Sequence, residues 1–309
     1  MLSRVAENIY WLARYVERAE NTARLIRVNT RLVLDTPKGI APGWEPLVSI
    51  TGMDSQFKEA YKDASERNVV KFLLEDDSHQ SSIVGCLRAA KENFRTVREV
   101  LPRSGWELIN ELTLFAREQA KSGITKKGRE DYLNDIIAGS QQVGGLLGSV
   151  LYRDEGYHFM RIGRNLERSD MTSRIIDVRS TDLFDDELLE TRTLDALQWM
   201  SVLQSVSAYQ SYRRHVQIRV QRGPVLDYLL KNMQFPRSTL HCLSAVEESV
   251  GTLANPKTTL TAIRKTARQI ARIKTKDLPQ QALHQAIDDI QLGIMHVHDH
   301  LAKNYFMSS

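Results

Sequence analysis

The chain has 309 residues, 42% of them hydrophobic and 26% charged, the balance of an ordinary globular protein with room for two domains or one large one. Its net charge of +4 comes from lysines and arginines scattered among acids, without the basic block interleaved with aromatics that marks a nucleic-acid surface. No apolar run approaches the roughly 18 residues of a membrane helix. Glu7, Glu17 and Glu20 among the first arginines argue against a transit peptide. Cys86 and Cys242 lack metal or redox spacing and read as buried apolar residues of a reducing compartment. A cytoplasmic protein with no membrane or nucleic-acid partner is expected.

Ser3 is placed to cap a first helix reaching about Leu34, and Asp35-Thr-Pro-Lys-Gly39 with Pro42-Gly43 ends it. Trp44 to Ile50 opens a second helical stretch, and Gln56 to Leu74 continues in helical periodicity. Asp76-Asp77-Ser78 breaks it before a helix from about Gln80 to Leu101. Ser104-Gly-Trp-Glu107 has the spacing of a capping box for a helix to about Lys121, and Gly123 to Gly128 reads as a linker. Asp131 to Val150 is helical but carries Gly139, Gly144, Gly145 and Gly148, which permit close backbone approach. A long helix begins near Gly156 and ends at Ser180 to Phe184. Glu187 to Gln210 and Tyr212 to Val220 follow, and Arg222-Gly-Pro224 interrupts the pattern. Pro236 to Leu253, Thr258 to Lys274 and Gln281 to Tyr305 complete the helices. No segment alternates with period two, so the fold class is all-α.

The first helix is written twice. Adding 150 to Arg14–Val28 gives Arg164–Val178, with identities Arg14/Arg164, Glu17/Glu167, Arg18/Arg168, Thr22/Thr172, Arg24/Arg174, Ile26/Ile176 and Val28/Val178. An offset of 156 aligns Phe72-Leu-Leu74 with Tyr228-Leu-Leu230, Ser82 with Ser238, and Cys86-Leu87 with Cys242-Leu243. Two tandem helical units, 1–150 and 151–309, packed about a pseudo-twofold as one multi-helix bundle, are expected.

In the first copy Val5, Ile9, Leu12, Val16, Ala19, Ala23 and Ile26 form the apolar seam of a helix packed lengthwise. Beside it runs a charged stripe, Glu17, Glu20, Arg24 and Arg27, answered by Glu167, Asp170, Arg174 and Asp177 in the second copy. Glu20 to Arg24 and Asp170 to Arg174 are favourable pairs four apart, but Glu17/Glu20 and Glu167/Asp170 set two carboxylates three apart, which is repulsive. A repulsive pair written twice asks for a cation from another helix, a metal or a ligand. An interhelical salt-bridge network answers that demand, and so does a ligand site built from Glu17, Arg18, Glu20, Arg24, Glu167, Arg168, Asp170 and Arg174.

Paired carboxylates on helices also occur in di-iron bundles, but those use Glu-x-x-His, and no histidine stands three residues after Glu17 or Glu167. No metal and no cofactor are expected there. His296 and His300, four apart with His298 between them, have the spacing of a zinc pair without an evident third ligand. Pro236 at a helix start with Arg237 beside it reads either as an anion-binding helix N-terminus or as a plain helix start with a surface arginine. No catalytic triad, phosphate loop or dinucleotide fingerprint is present.

The duplicated Glu17-Arg18-Ala-Glu-Asn-Thr-Ala-Arg24 and Glu167-Arg168-Ser-Asp-Met-Thr-Ser-Arg174 resemble the alpha-E family, a bacterial family of all-helical domains with a Glu-Arg motif, commonly in tandem. The opening from Met1 to Tyr15 resembles the family's usual start, and Pro236-Arg-Ser238 its Asn-Pro-Arg-Ser motif. Phe235 stands in place of that asparagine, and His79-Gln-Ser-Ser82 lacks the proline and arginine. The resemblance implies association with circularly permuted ATP-grasp ligases, transglutaminase-like proteins and amidohydrolase-type peptidases in peptide synthesis or modification. Two functions follow as expectations. One is a binding or scaffold partner of an ATP-dependent carboxylate–amine ligase, its stripe holding a peptide or partner surface. The other is an enzyme using Glu17 and Glu167 as proton acceptors, with arginines stabilising an oxyanion.

Overall fold

The computed structural model of the chain describes residues 1–36, 43–76, 81–180 and 190–307. Among the described residues every regular element is helical. The chain divides into two compact units, Met1–Glu167 with Ala302–Ser309, and Arg168–Leu301.

The first unit is built on α1, Ser3–Asp35. Around it come α2 (Glu45–Thr51), α3 (Asp54–Ala60), α4 (Glu66–Glu75), α5 (Ile83–Thr96), α6 (Arg103–Glu118), α7 (Ala120–Ile124) and α8 (Lys126–Val150). α1 packs along both α5 and α8. Its seam from Ile9 to Ile26 is buried as the spacing requires, but so are Tyr10, Leu25 and Val28 on other faces, because neighbours surround the helix. α9, Glu155–Ser180, gives its first half to this unit and its second half to the other. A single π-helical turn, Ala302–Phe306, returns to the first unit, where the Phe306 ring lies 5.1 Å from that of Tyr10.

The second unit contains α10 (Glu190–Ser205), α11 (Tyr209–His215), α12 (Arg222–Lys231), α13 (Thr239–Gly251), α14 (Lys257–Arg272) and α15 (Gln280–Leu301). α14 packs against α13 and α15. It buries Thr259, Ile263, Thr266 and Ile270, and α15 buries Leu283, Ile287, Ile290, Ile294, Val297 and Leu301, in alternating steps of four and three.

Several boundaries differ from the sequence reading, each for a local reason. Leu2 occupies the N-cap of α1, so Ser3 is already helical. The stretch Gln56 to Leu74 is two helices, because the Asp63 carboxylate accepts from the Ser65 N–H at 2.9 Å and from Asn68, turning the chain. The capping box at Ser104 does not form: α6 starts at Arg103 after Pro102, and Glu107 pairs with Arg103 instead. Gly123 to Gly128 is no linker but the end of α7 and the start of α8, joined by Thr125, which caps Gly128. Gly139 does admit Leu112 closely, whereas Gly144 and Gly145 face open space. Ser207, at φ 55°, separates α10 from α11. Arg222-Gly-Pro224 opens α12 rather than breaking a helix, since a first-turn proline lacks only an N–H that would be unpaired. The breaks read at 35–39 with 42–43, at 76–78 and at 180–184, and the helix starts at Gln80 and Glu187, lie outside the described residues in whole or in part.

Candidate functional site

A largely enclosed charged cluster is built where α1 meets the first half of α9. Gly163 has no side chain to hold the helices apart: a Cβ there would sit 2.3 Å from the Tyr10 carbonyl oxygen. One turn further along each helix the same closeness brings Arg14 to Glu167. Arg14 donates from Nε to Glu167 Oε2 at 2.7 Å. Arg18, another turn along, donates from Nε to Oε1 at 2.6 Å and from Nη2 to Oε2 at 2.9 Å, a two-pronged grip. Arg14 Nη1 also donates to the Tyr10 hydroxyl at 3.0 Å, and its guanidinium lies 5.1 Å from the Trp11 ring, so it is held by three neighbours.

Electrostatics settle the state of this carboxylate. Burial of Glu167, which is 1% exposed, pushes its pKa up, but Arg18 and Arg14 overcome that and hold it at about 2. Burial alone would lower Arg18, and Glu167 raises it above the ordinary arginine value. Cys86 faces the same cluster, and burial pushes its thiol up to about 12, which leaves it an inert packing group.

The first stripe is interior from Glu17 to Arg24, and the half-buried Arg27 donates to Asn134 at 2.6 Å. Glu20 accepts from Arg24 on its own helix and from Gln141 Nε2 on α8 at 3.0 Å, and Arg24 also reaches Asn21 at 3.1 Å. Glu17 is 3% exposed and Arg24 1%. On α9, Arg174 donates to Asp170 at 3.0 Å in a half-buried pair, and Arg168 is half-buried. Arg237 sits in the turn before α13, not in its first helical turn, which corrects the reading of Pro236 as a helix start. Its carbonyl accepts from the Thr172 hydroxyl at 3.0 Å, and Ser238 caps α13 through the His241 N–H at 3.2 Å. The helix N-terminus is thus served by its own serine.

Three features escaped the sequence reading. Arg14 and Tyr10 complete the Glu167 cluster, and the identity Arg14/Arg164 was the signal for the first. Arg129, 2% exposed, is bound to Glu66 at 2.7 Å beneath Trp44. Asp177, His284 and Asp288 bring ligand atoms within 4.8 Å of one another, of which only the four-residue spacing of the last two was visible in sequence. His284 Nδ1 lies 2.7 Å from Asp177 and Nε2 3.7 Å from Asp288, and its pKa is raised, first by the hydrogen bond to Asp177. That is the environment of an imidazolium between two carboxylates. His296 and His300 line one cleft of about 490 Å³ together with Asp289 and Lys265. Both oxygens of Glu167 are engaged by guanidinium groups, the opposite of what a di-metal carboxylate requires.

The chain resembles several known sequences. The profile of the Alpha-E family, described as "a predicted alpha-helical domain with a conserved ER motif", matches residues 1–306. Three proteins called uncharacterized, one from Mycobacterium bovis and two from strains of Mycobacterium tuberculosis, are each 22% identical over 264 residues. The match covers 78% of this chain and only 28% of each relative. No solved structure matches the chain. Among the described residues no helix is long and apolar enough to cross a membrane.

Proposed function

Taking as premise that this chain belongs to the Alpha-E family, we propose that it is a non-catalytic or co-catalytic partner of an ATP-grasp-type carboxylate–amine ligase in a bacterial peptide synthesis or modification system. Transglutaminase-like proteins are further partners in this reading, and its compartment is the cytoplasm. The observation that carries the choice between partner and enzyme is the state of Glu167. A general base works best with a pKa near the working pH, and this carboxylate is held at about 2 by two arginines. Such a group orients helices; it does not take up protons at neutral pH. The mycobacterial relatives lend support from another direction, because there the matching region is 28% of a longer chain and so comes covalently joined to other sequence. A tandem repeat of related units, 1–150 and 151–309, remains part of this reading. Its local support is that Ser82 and Ser238 cap their helices alike, with Cys86 and Cys242 each buried four residues on.

The experiment is reconstitution. The protein is mixed with an ATP-grasp-type ligase of its own organism, and complex formation, ADP release and product mass are followed. The expected result is a complex and an altered rate or product, with no ATP turnover by this protein alone. No binding and no change in product would end the proposal. The enzyme reading, in which Glu17 and Glu167 do acid–base work on a peptide or amide, requires instead that Glu17→Gln keep the complex and abolish turnover.

A further inference from the structure

A second charged site lies in the first unit, away from the Glu167 cluster. A cleft of about 520 Å³ opens between α4 and the α7–α8 junction. Five cations line it, Arg67, Lys71, Lys121, Lys126 and Arg129, against two acids, Glu66 and Glu75, a net of three positive charges. The acids are already shared out. Glu66 serves both Arg129 at 2.7 Å and Lys126 at 3.4 Å, and Glu75 lies 3.9 Å from Lys71. Arg67 and Lys121 have no ion-pair partner among the described residues.

Two further observations point the same way. Arg129 is a built component: it is 2% exposed, its Nη2 donates to the Ile124 carbonyl at 3.0 Å, its guanidinium lies 5.5 Å from the Trp44 ring, and its sealed Nε has no acceptor among the described residues. The first turn of α8 has no acid and instead carries Lys126 and Lys127, although the positive end of a 25-residue helix favours anions. Glu66 offsets one of these charges, and the cations left over repel one another until a further anion joins them.

We propose that this cleft binds a small molecule carrying a diphosphate or two phosphate groups. Lysines act as point charges suited to phosphate, and the positive end of α8 adds to them although Thr125 already takes its Gly128 N–H; carboxylate recognition would favour exposed arginine forks, of which Arg67 is the one candidate in this cleft. The proposal is independent of the ligase partnership above.

The test is isothermal titration of the full chain with inorganic pyrophosphate, with citrate in a parallel arm, at about 0.1 M salt. One equivalent of pyrophosphate is expected to bind. Lys121→Glu with Lys126→Glu should weaken it by about tenfold or more, and Arg4→Glu with Arg98→Glu, the same change of charge at exposed sites outside the cleft lining, by no more than about twofold. If the lysine pair disturbs folding, Arg67→Gln with Lys71→Gln must reproduce the loss. The absence of saturable binding, equal weakening by the control pair, or tighter binding of citrate than of pyrophosphate would overturn it.

Discussion

At Glu167 a single carboxylate answers two guanidinium groups, and removing it takes the carboxylate from the buried Arg14 and the half-buried Arg18 together. Glu167→Gln should therefore cost on the order of 3–5 kcal/mol, read as a lower urea midpoint. The same residue sets an acid limit. Its folded pKa of about 2 lies below the ordinary glutamate value of about 4.3, so its stabilisation is complete above that ordinary value and is lost as pH falls toward 2. Urea midpoints of the parent should fall more steeply over that range than those of Glu167→Gln; parallel curves would refute the assignment. His284 works with opposite sign. Its pKa is raised in the fold, so what it contributes is present below the ordinary imidazole value and disappears as pH rises through the folded one. An NMR titration should show that shift reduced by Asp177→Asn, the remainder coming from Asp288, and an unchanged shift would refute the assignment. At this scale the sequence was legible in part. The paired carboxylates demanded cations from another helix, and Glu167 receives them from α1. Which arginines supply them depended on the Gly163 contact, which no spacing within one helix encodes.

The crossing of α1 and α9 depends on a missing side chain. Gly163→Ala puts a methyl against the Tyr10 carbonyl, and since backbone cannot swing aside as a side chain does, the helices must part. Alanine's helix propensity returns about 1 kcal/mol, and the clash costs about 1–3 kcal/mol or more. The net expectation is a lower melting temperature together with a smaller stability loss from Glu167→Gln in that background, because the arginine grip is already loosened. A melt unchanged by Gly163→Ala would mean that α1 and α9 are not so close. Helix starts offer a gentler test: Ser82→Ala should cost about 1 kcal/mol by the loss of one N-cap bond, and Ser238→Ala more, since its hydroxyl also donates to the Asn232 carbonyl. Long apolar periodicity made α1, α8, α9, α14 and α15 legible. The errors cluster where one residue redirects the backbone, by the Asp63 carboxylate, by the positive φ of Ser207 and by the ring of Pro224, since such turns outweigh the average preference of a window.

For the whole molecule, composition and the absence of period-two patterning were enough to read an all-helical chain, because those signals are summed over many residues. The membership of the Ala302–Phe306 turn was not legible, since it rests on ring contacts between residues far apart in sequence: Phe306 with Tyr10, and Tyr305 with Phe159 at 5.6 Å. Truncation after Leu301 should uncover those rings. Faster hydrogen exchange in the first turns of α1 and the start of α9, with α13 and α14 unaffected, is the expected result, and uniform exchange would count against it. The same turn has a consequence during synthesis. A ribosome delivers α1 to α8 early, yet the unit they belong to cannot be finished until every residue of the other unit has been made. For that interval the nascent protein carries Tyr10 and Phe159 without the aromatic residues that cover them, a period of vulnerability to aggregation that the mature chain no longer has.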